Sequence, residues 1–206
     1  MNRFAETKKI DAANAALIVV DMQEKLVPAQ SRASLVKSCE TLIKGCRILN
    51  VPVLCTQQYT KGLGHTIPQI VEAGTAIVGS APGRETAHST ANPESVFPFI
   101  EKTSFSVMGE PEFQRQLEHL EKHDLILCGI EAHVCVLQSA LDLLDEDYGV
   151  FLISDAVSSR HGEDYLSALN RAEGAGAVVT TTETILFELM RDARHPMFKE
   201  ISKLVK

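Results

Sequence analysis

Residues 15–20 read Ala-Ala-Leu-Ile-Val-Val without a polar position, and the run stops at Asp21. A strand wetted on one side alternates; a run with no polar position must be covered on both faces. Short apolar runs recur at 51–56, with Pro52 near the start, and at 125–128, 150–154 and 177–180. Between them the apolar spacing becomes helical. Leu35, Val36, Cys39, Leu42, Ile43, Cys46 and Leu49 mark one amphipathic helix, which makes Cys39 and Cys46 core residues. Further helices are expected over 111–122, with Pro111 in the first turn, over 183–191 and over 196–205. Alternating strands and helices predict an α/β fold: a three-layer α/β/α sandwich around a mostly parallel, about six-stranded Rossmann-like sheet. A chain of 206 residues suits one domain over 1–206.

The stretch between 60 and 98 is the least legible. Gly62, Gly64, Pro68, Gly74, Gly79, Pro82, Gly83 and Pro93 punctuate it as loop, with Ile77-Val78 as a short edge element. Gly62-x-Gly64 and Gly174-Ala175-Gly176 lack the strand and helix flanks of a dinucleotide site and read as turns.

Composition narrows the function classes. A net charge of −7 argues against a nucleic-acid partner, which requires clustered Lys and Arg. The longest nearly apolar stretch, 12–20, is far shorter than the roughly 20 residues that span a bilayer. No secretory pattern opens the sequence. Glu6 and Asp11 argue against a mitochondrial leader without settling the point, so the cytoplasm is the expected location. Five cysteines without CxxC spacing fit reduced thiols rather than a disulfide framework. A small-molecule substrate and further copies of the chain are the expected partners.

Candidate chemistry centres on Cys135, where the strand Leu125–Cys128 breaks at Gly129 and turns toward a helix. A thiol at a helix start sits among free N–H groups whose dipole favours thiolate, so a lowered pKa is expected. Small apolar filler is the competing account of a cysteine there. In a parallel sheet ligands gather outside the carboxyl ends of strands, which places Asp21 on the same edge as Cys135. A carboxylate beside a thiol can take its proton and return it to a leaving group. Lys102 can offset the second negative charge, although a solvated surface lysine is the ordinary alternative. Asp155, Ser158, Ser159, Arg160 and His161 either touch a ligand or a neighbouring subunit, or form a polar loop opening a helix near Glu163.

Three motifs carry a resemblance: Val-Val-Asp-Met-Gln at 19–23, Glu-Lys-Thr-Ser-Phe-Ser at 101–106 and Gly-Ile-Glu-Ala-His-Val-Cys-Val at 129–136. In that order and spacing they resemble the isochorismatase-like cysteine hydrolases, over roughly residues 15–189. The segment 56–64, Thr-Gln-Gln-Tyr-Thr-Lys-Gly-Leu-Gly, points within the family to the isochorismatase-domain-containing proteins. The resemblance implies a catalytic triad of Asp21, Lys102 and Cys135 and a cis peptide between Ile130 and Glu131. It also implies an oxyanion hole from the N–H groups of Glu131 and Cys135.

Departures from the family pattern narrow the substrate. Metal-using nicotinamidases carry an Asp-x-His pair after the second strand, where this chain has Gln57-Gln58-Tyr59. No metal or other cofactor is therefore expected, and Gln57, Gln58 and Tyr59 become candidate substrate-binding residues. His119 and His123 share a helical face, but their helix leads into the Cys135 strand and ends at the opposite edge of the sheet. His133, two residues from Cys135, points elsewhere and caps or packs. The vinyl-ether hydrolases of the family carry a small residue where Cys135 stands. The leading expectation is a metal-independent amidase-type hydrolase working through a thioester. An ester, imide or vinyl-ether hydrolase and a catalytically silent scaffold stand as alternatives.

Overall fold

In the computed structural model, described over residues 9–29, 32–75 and 99–206, six parallel strands form one sheet. In chain order the strands are β1 (Ala15–Val20), β2 (Val53–Gln58), β3 (Phe99–Lys102), β4 (Asp124–Ile130), β5 (Gly149–Ser158) and β6 (Val178–Thr180). Their spatial order is β3-β2-β1-β4-β5-β6. The order reverses between β1 and β4, which opens a crevice at their carboxyl ends.

Alternation within β1 separates the two sides of the sheet. Ala15, Leu17 and Val19 face one core, shared with α1 (Arg32–Ile48), α3 (Pro68–Thr75), α7 (Thr182–Met190) and α8 (Phe198–Leu204). Ala16, Ile18 and Val20 face the other, shared with α4 (Pro111–Leu120), α5 (Leu137–Asp145) and α6 (Gly162–Ala175). Every β1 residue is fully buried, as its unbroken apolar run requires. The three-layer α/β/α sandwich is thus present.

The structure moves several boundaries. β2 runs on through Gln57 and Gln58, and β5 through Ser158, because polar residues extend the strands toward the crevice. Two helices occupy part of the stretch read as loop: α2 (Thr60–Leu63) and α3. In α3, Pro68 stands at the first helical position and Ile70 and Ala73 pack one face against the core. Proline and glycine there open and close a helix rather than break the chain. Ile77 and Val78 lie outside the described residues. Gly64 and Gly176 cap α2 and α6 with positive φ.

Gly129 marks the switch point. It pairs with Val20, takes φ +119°, and a Cβ there would lie 1.9 Å from the Val20 carbonyl oxygen. The β4–β5 register also shifts between Leu127 and Gly129. Glycine alone permits this approach. Gly129→Ala is expected to destabilise the fold by at least about 2 kcal/mol in urea unfolding. A variant as stable as the parent would contradict this packing.

Candidate active site

Asp21 is the first residue beyond β1. Its φ of +49° is tolerated by aspartate better than by most residues, and it turns the carboxylate into the crevice, fully buried. Oδ1 accepts from Thr56 Oγ1 at 2.8 Å, and Oδ2 lies 2.8 Å from Lys102 Nζ. Thr56 is itself fully buried, and its carbonyl receives the Asp21 N–H at 3.2 Å. β1 and β2 thereby fix the carboxylate from both backbone and side chain.

Lys102, expected on composition alone to be a solvated charge, is among the largest fully buried side chains of the described residues. It ends β3 opposite Gln58. Its ammonium donates to Gln58 Oε1 at 2.6 Å, Phe105 O at 2.9 Å and Ser104 O at 3.1 Å. Those three bonds use its three protons. Oδ2 of Asp21 thus receives the ammonium's charge in ion-pair contact but no aligned hydrogen bond. The carboxylate's remaining neighbour is the Cys135 thiol.

Cys135 lies beyond β4. The Ile130–Glu131 peptide bond is cis, and residues Ala132–Val136 form a π-helical turn before α5. The thiol belongs to the α4–α5–α6 side of the sheet and sits within hydrogen-bond reach of both Asp21 and Lys102. The structure therefore brings Asp21, Lys102 and Cys135 together from the ends of three strands.

The expected low pKa of Cys135 is corrected. Burial and the neighbouring Asp21 carboxylate push the thiol up to about 12, and Lys102 offsets only part of that. The resting group is a thiol, not a thiolate. Cys39, Cys46, Cys55 and Cys128 lie on the other side of the sheet, all fully buried. Burial holds Cys46 and Cys55 far above the ordinary thiol range, and a hydrogen bond with the Cys39 thiol, ahead of burial, raises Cys128.

The three residues of the second-strand segment separate. Gln58 shares the face of Thr56 and Lys102, and its amide is committed to Lys102 Nζ and to Thr103 O at 2.8 Å. Gln57 points to the other face of β2, where Oε1 accepts the Thr66 N–H at 2.9 Å, so the structure does not bring it to the crevice. Tyr59 stands half exposed at the strand's end, as does Phe105 beyond β3. Sequence reasoning missed Gln23. Fully buried, it accepts Gln58 N–H at 2.7 Å and donates to Gln58 O at 3.1 Å and Gly64 O at 2.5 Å. Its place in the Asp-Met-Gln motif was the available signal.

The remaining polar residues hold the scaffold. Asp155, placed beyond its strand by the sequence reading, lies within β5; its Oδ1 accepts Thr182 N–H at 2.8 Å and so anchors the start of α7. Arg160 Nε donates to Glu131 Oε1 at 2.8 Å, and His133 Nδ1 meets Ser159 Oγ at 2.9 Å. His161 precedes α6 as its N-cap. His123 adjoins the amino end of β4, with its ring stacked on Tyr148 at 5.8 Å, away from the crevice. Among the described residues no three His, Cys, Asp or Glu side chains converge as a metal site, and no helix is long and apolar enough to cross a membrane.

Residues 15–184 match the Isochorismatase domain. Isochorismatase domain-containing protein 2 of Danio rerio is 38% identical over 96% of this chain and 89% of its own length. The chain belongs to the isochorismatase family of hydrolases. Isochorismatase family protein 1B of Dictyostelium discoideum is 36% identical over 96% of this chain and 89% of its own. A solved Caenorhabditis elegans structure, described as MAR1 ribonuclease, superposes with a TM-score of 0.80 at 36% identity, covering 96% of this chain and 92% of that one.

A buried, protonated thiol makes a checkable statement for this isochorismatase-family chain. Alkylation of Cys135 by iodoacetamide is expected to be slow at pH 7 and to rise about tenfold per pH unit to pH 10 without a plateau. The other four cysteines stay unlabelled in the folded protein. Peptide mapping across pH reads both. A plateau below pH 9 would contradict the protonated resting state.

Proposed function

We propose that the chain is a metal-independent cysteine hydrolase of small amide-type substrates. One observation carries the reading: a buried carboxylate, fixed by Thr56 and paired with a fully coordinated lysine, lies within hydrogen-bond reach of a protonated thiol. In this reading Sγ of Cys135 attacks the amide carbonyl carbon as its proton passes to Asp21 Oδ2. A thiol pushed up to about 12 does not release its proton in advance, so transfer accompanies C–S bond formation. The N–H groups of Glu131 and Cys135 receive the developing oxyanion. Collapse breaks the C–N bond, and Asp21 returns the proton to the departing amine. Water, deprotonated by Asp21, then adds to the thioester. The acid leaves, and Cys135 recovers its proton.

Lys102 stays in ion-pair contact with the carboxylate that acts as base, and it lowers the cost of charge beside the thiol. Gln57 and Gln58, standing where metal-using relatives place ligands, are committed to Thr66 and Lys102, which supports a reaction carried by side chains alone. Tyr59 is the proposed substrate contact of the second-strand segment, and with Phe105 it gives the rim an apolar surface that a further copy of the chain can share. The name of the C. elegans relative raises RNA as a second substrate class. A net charge of −7 weakens it, because the phosphate backbone is held by clustered cations.

The test is a screen of small amides, esters, cyclic imides and a short RNA, read by ammonia, acid or fragment release with and without a chelator. Amide turnover that survives chelation is expected. Asp21→Asn is expected to lower it about a hundredfold to ten-thousandfold, the usual cost of losing an acid–base group. Turnover that disappears with chelation, or survives Asp21→Asn, would refute the assignment.

A further inference from the structure

Ser139 has no part in the steps above, yet it joins the two segments that supply the thiol and the ammonium. It is the third residue of α5 and fully buried. Its hydroxyl donates to the Cys135 carbonyl at 2.6 Å, one turn back, and accepts the Val107 N–H at 3.0 Å. A hydroxyl that donates once and accepts once here has both ends used inside the protein. Val107 is also fully buried, and it opens the 3-10 turn Val107–Gly109 that follows the lysine's loop.

That loop is tightly built. Ser106 Oγ accepts the Met108 N–H at 3.2 Å, and Ser104 Oγ donates to Ser106 O at 2.8 Å. The carbonyls of Ser104 and Phe105 hold Lys102 Nζ. A closed path therefore runs from the Cys135 backbone through Ser139 to Val107, back along 104–106 to the ammonium, and through Asp21 to the crevice. β1 separates β2, which pairs with β3, from β4, so the sheet links the lysine's strand to the thiol's strand only through two intervening strands. On the α4–α5 side, the hydroxyl of Ser139 is the direct hydrogen-bonded bridge between the two segments.

We propose that Ser139 is a positioning residue for the reaction, fixing where the Lys102 ammonium sits relative to the Cys135 thiol. The inference rests on the hydrolase reading for its purpose but not for its test. Asp21 and Lys102 are the charged groups that act on this thiol. If the bridge is removed, the carbonyls holding Nζ are free to shift, and the one group favouring thiolate loses its register. Mere loosening of the structure acts in the opposite direction, because it exposes a buried thiol and speeds its modification.

The experiment measures iodoacetamide modification of Cys135 at pH 8.5 in the full chain, with protection of Cys39, Cys46, Cys55 and Cys128 confirming the fold. Ser139→Ala is expected to slow Cys135 roughly tenfold, the change in thiolate fraction that one pKa unit makes. Ser139→Thr, which keeps a hydroxyl able to reach the same carbonyl, is expected to restore most of the rate. In a Lys102→Gln background, Ser139→Ala is expected to add no further slowing, since both changes remove the same influence. Unchanged or faster modification in Ser139→Ala, or full tenfold slowing in the Lys102→Gln background, would overturn the proposal. No turnover enters this readout. Failure to find a substrate therefore leaves it standing, and a good amidase with an unaffected Ser139→Ala thiol would refute the positioning role alone.

Discussion

The buried pair of Asp21 and Lys102 is the interaction on which the site depends. Desolvating two opposite charges costs several kcal/mol for each ion and is offset only with good geometry and further hydrogen bonds. The fold supplies both. Thr56 bonds one carboxylate oxygen, while Gln58, Ser104 and Phe105 occupy the ammonium protons. Breaking such a pair by removing one partner typically costs about 3–5 kcal/mol. An apolar pair of the same volume would serve stability as well, so the proposed hydrolase reaction is what gives charge at this depth a purpose.

Around that pair the sheet acts as a frame. The reversal of strand order beside β1 lets one strand deliver a carboxylate and its neighbour a thiol, while β3, two strands from β1, delivers the lysine. Gly129 allows β4 to close on the end of β1. Four cysteines fill the core on the opposite side, where burial keeps them inert, and Cys135 alone shares a crevice with titratable partners. The thiol's chemistry follows from that environment rather than from the residue type.

Much of this was legible in the sequence, for a physical reason. Two-sided burial strips polar residues from parallel strands, so β1 and the start of β4 show as unbroken apolar runs. Strand ends are less legible, because toward the crevice β2 carries Gln57 and Gln58, which composition assigns to a loop. α3 was hidden because Pro68 and Gly74 punctuate helices as readily as loops. Motif order picked out Asp21, Lys102 and Cys135, which the structure places side by side. Thr56, Gln23 and Ser139 leave no periodic signal, since each acts through a bond to a residue 35 positions away or to a backbone carbonyl one turn back. The protonation state of Cys135 was misread because sequence shows a nearby helix but not the depth of burial, and here burial outweighs the local dipole.

Bond cleavage through an acyl group on Cys135 is the step that sets the proposed hydrolase reaction apart. Intact-protein and peptide mass spectrometry after rapid acid quench tests it most directly, using an activated amide or ester whose acyl group hydrolyses slowly. One acyl group per chain is expected, on the Cys135 peptide, removable by hydroxylamine and absent from Cys135→Ala. Product release with no acylated Cys135 at any quench time, and with Cys135→Ala still active, would contradict it.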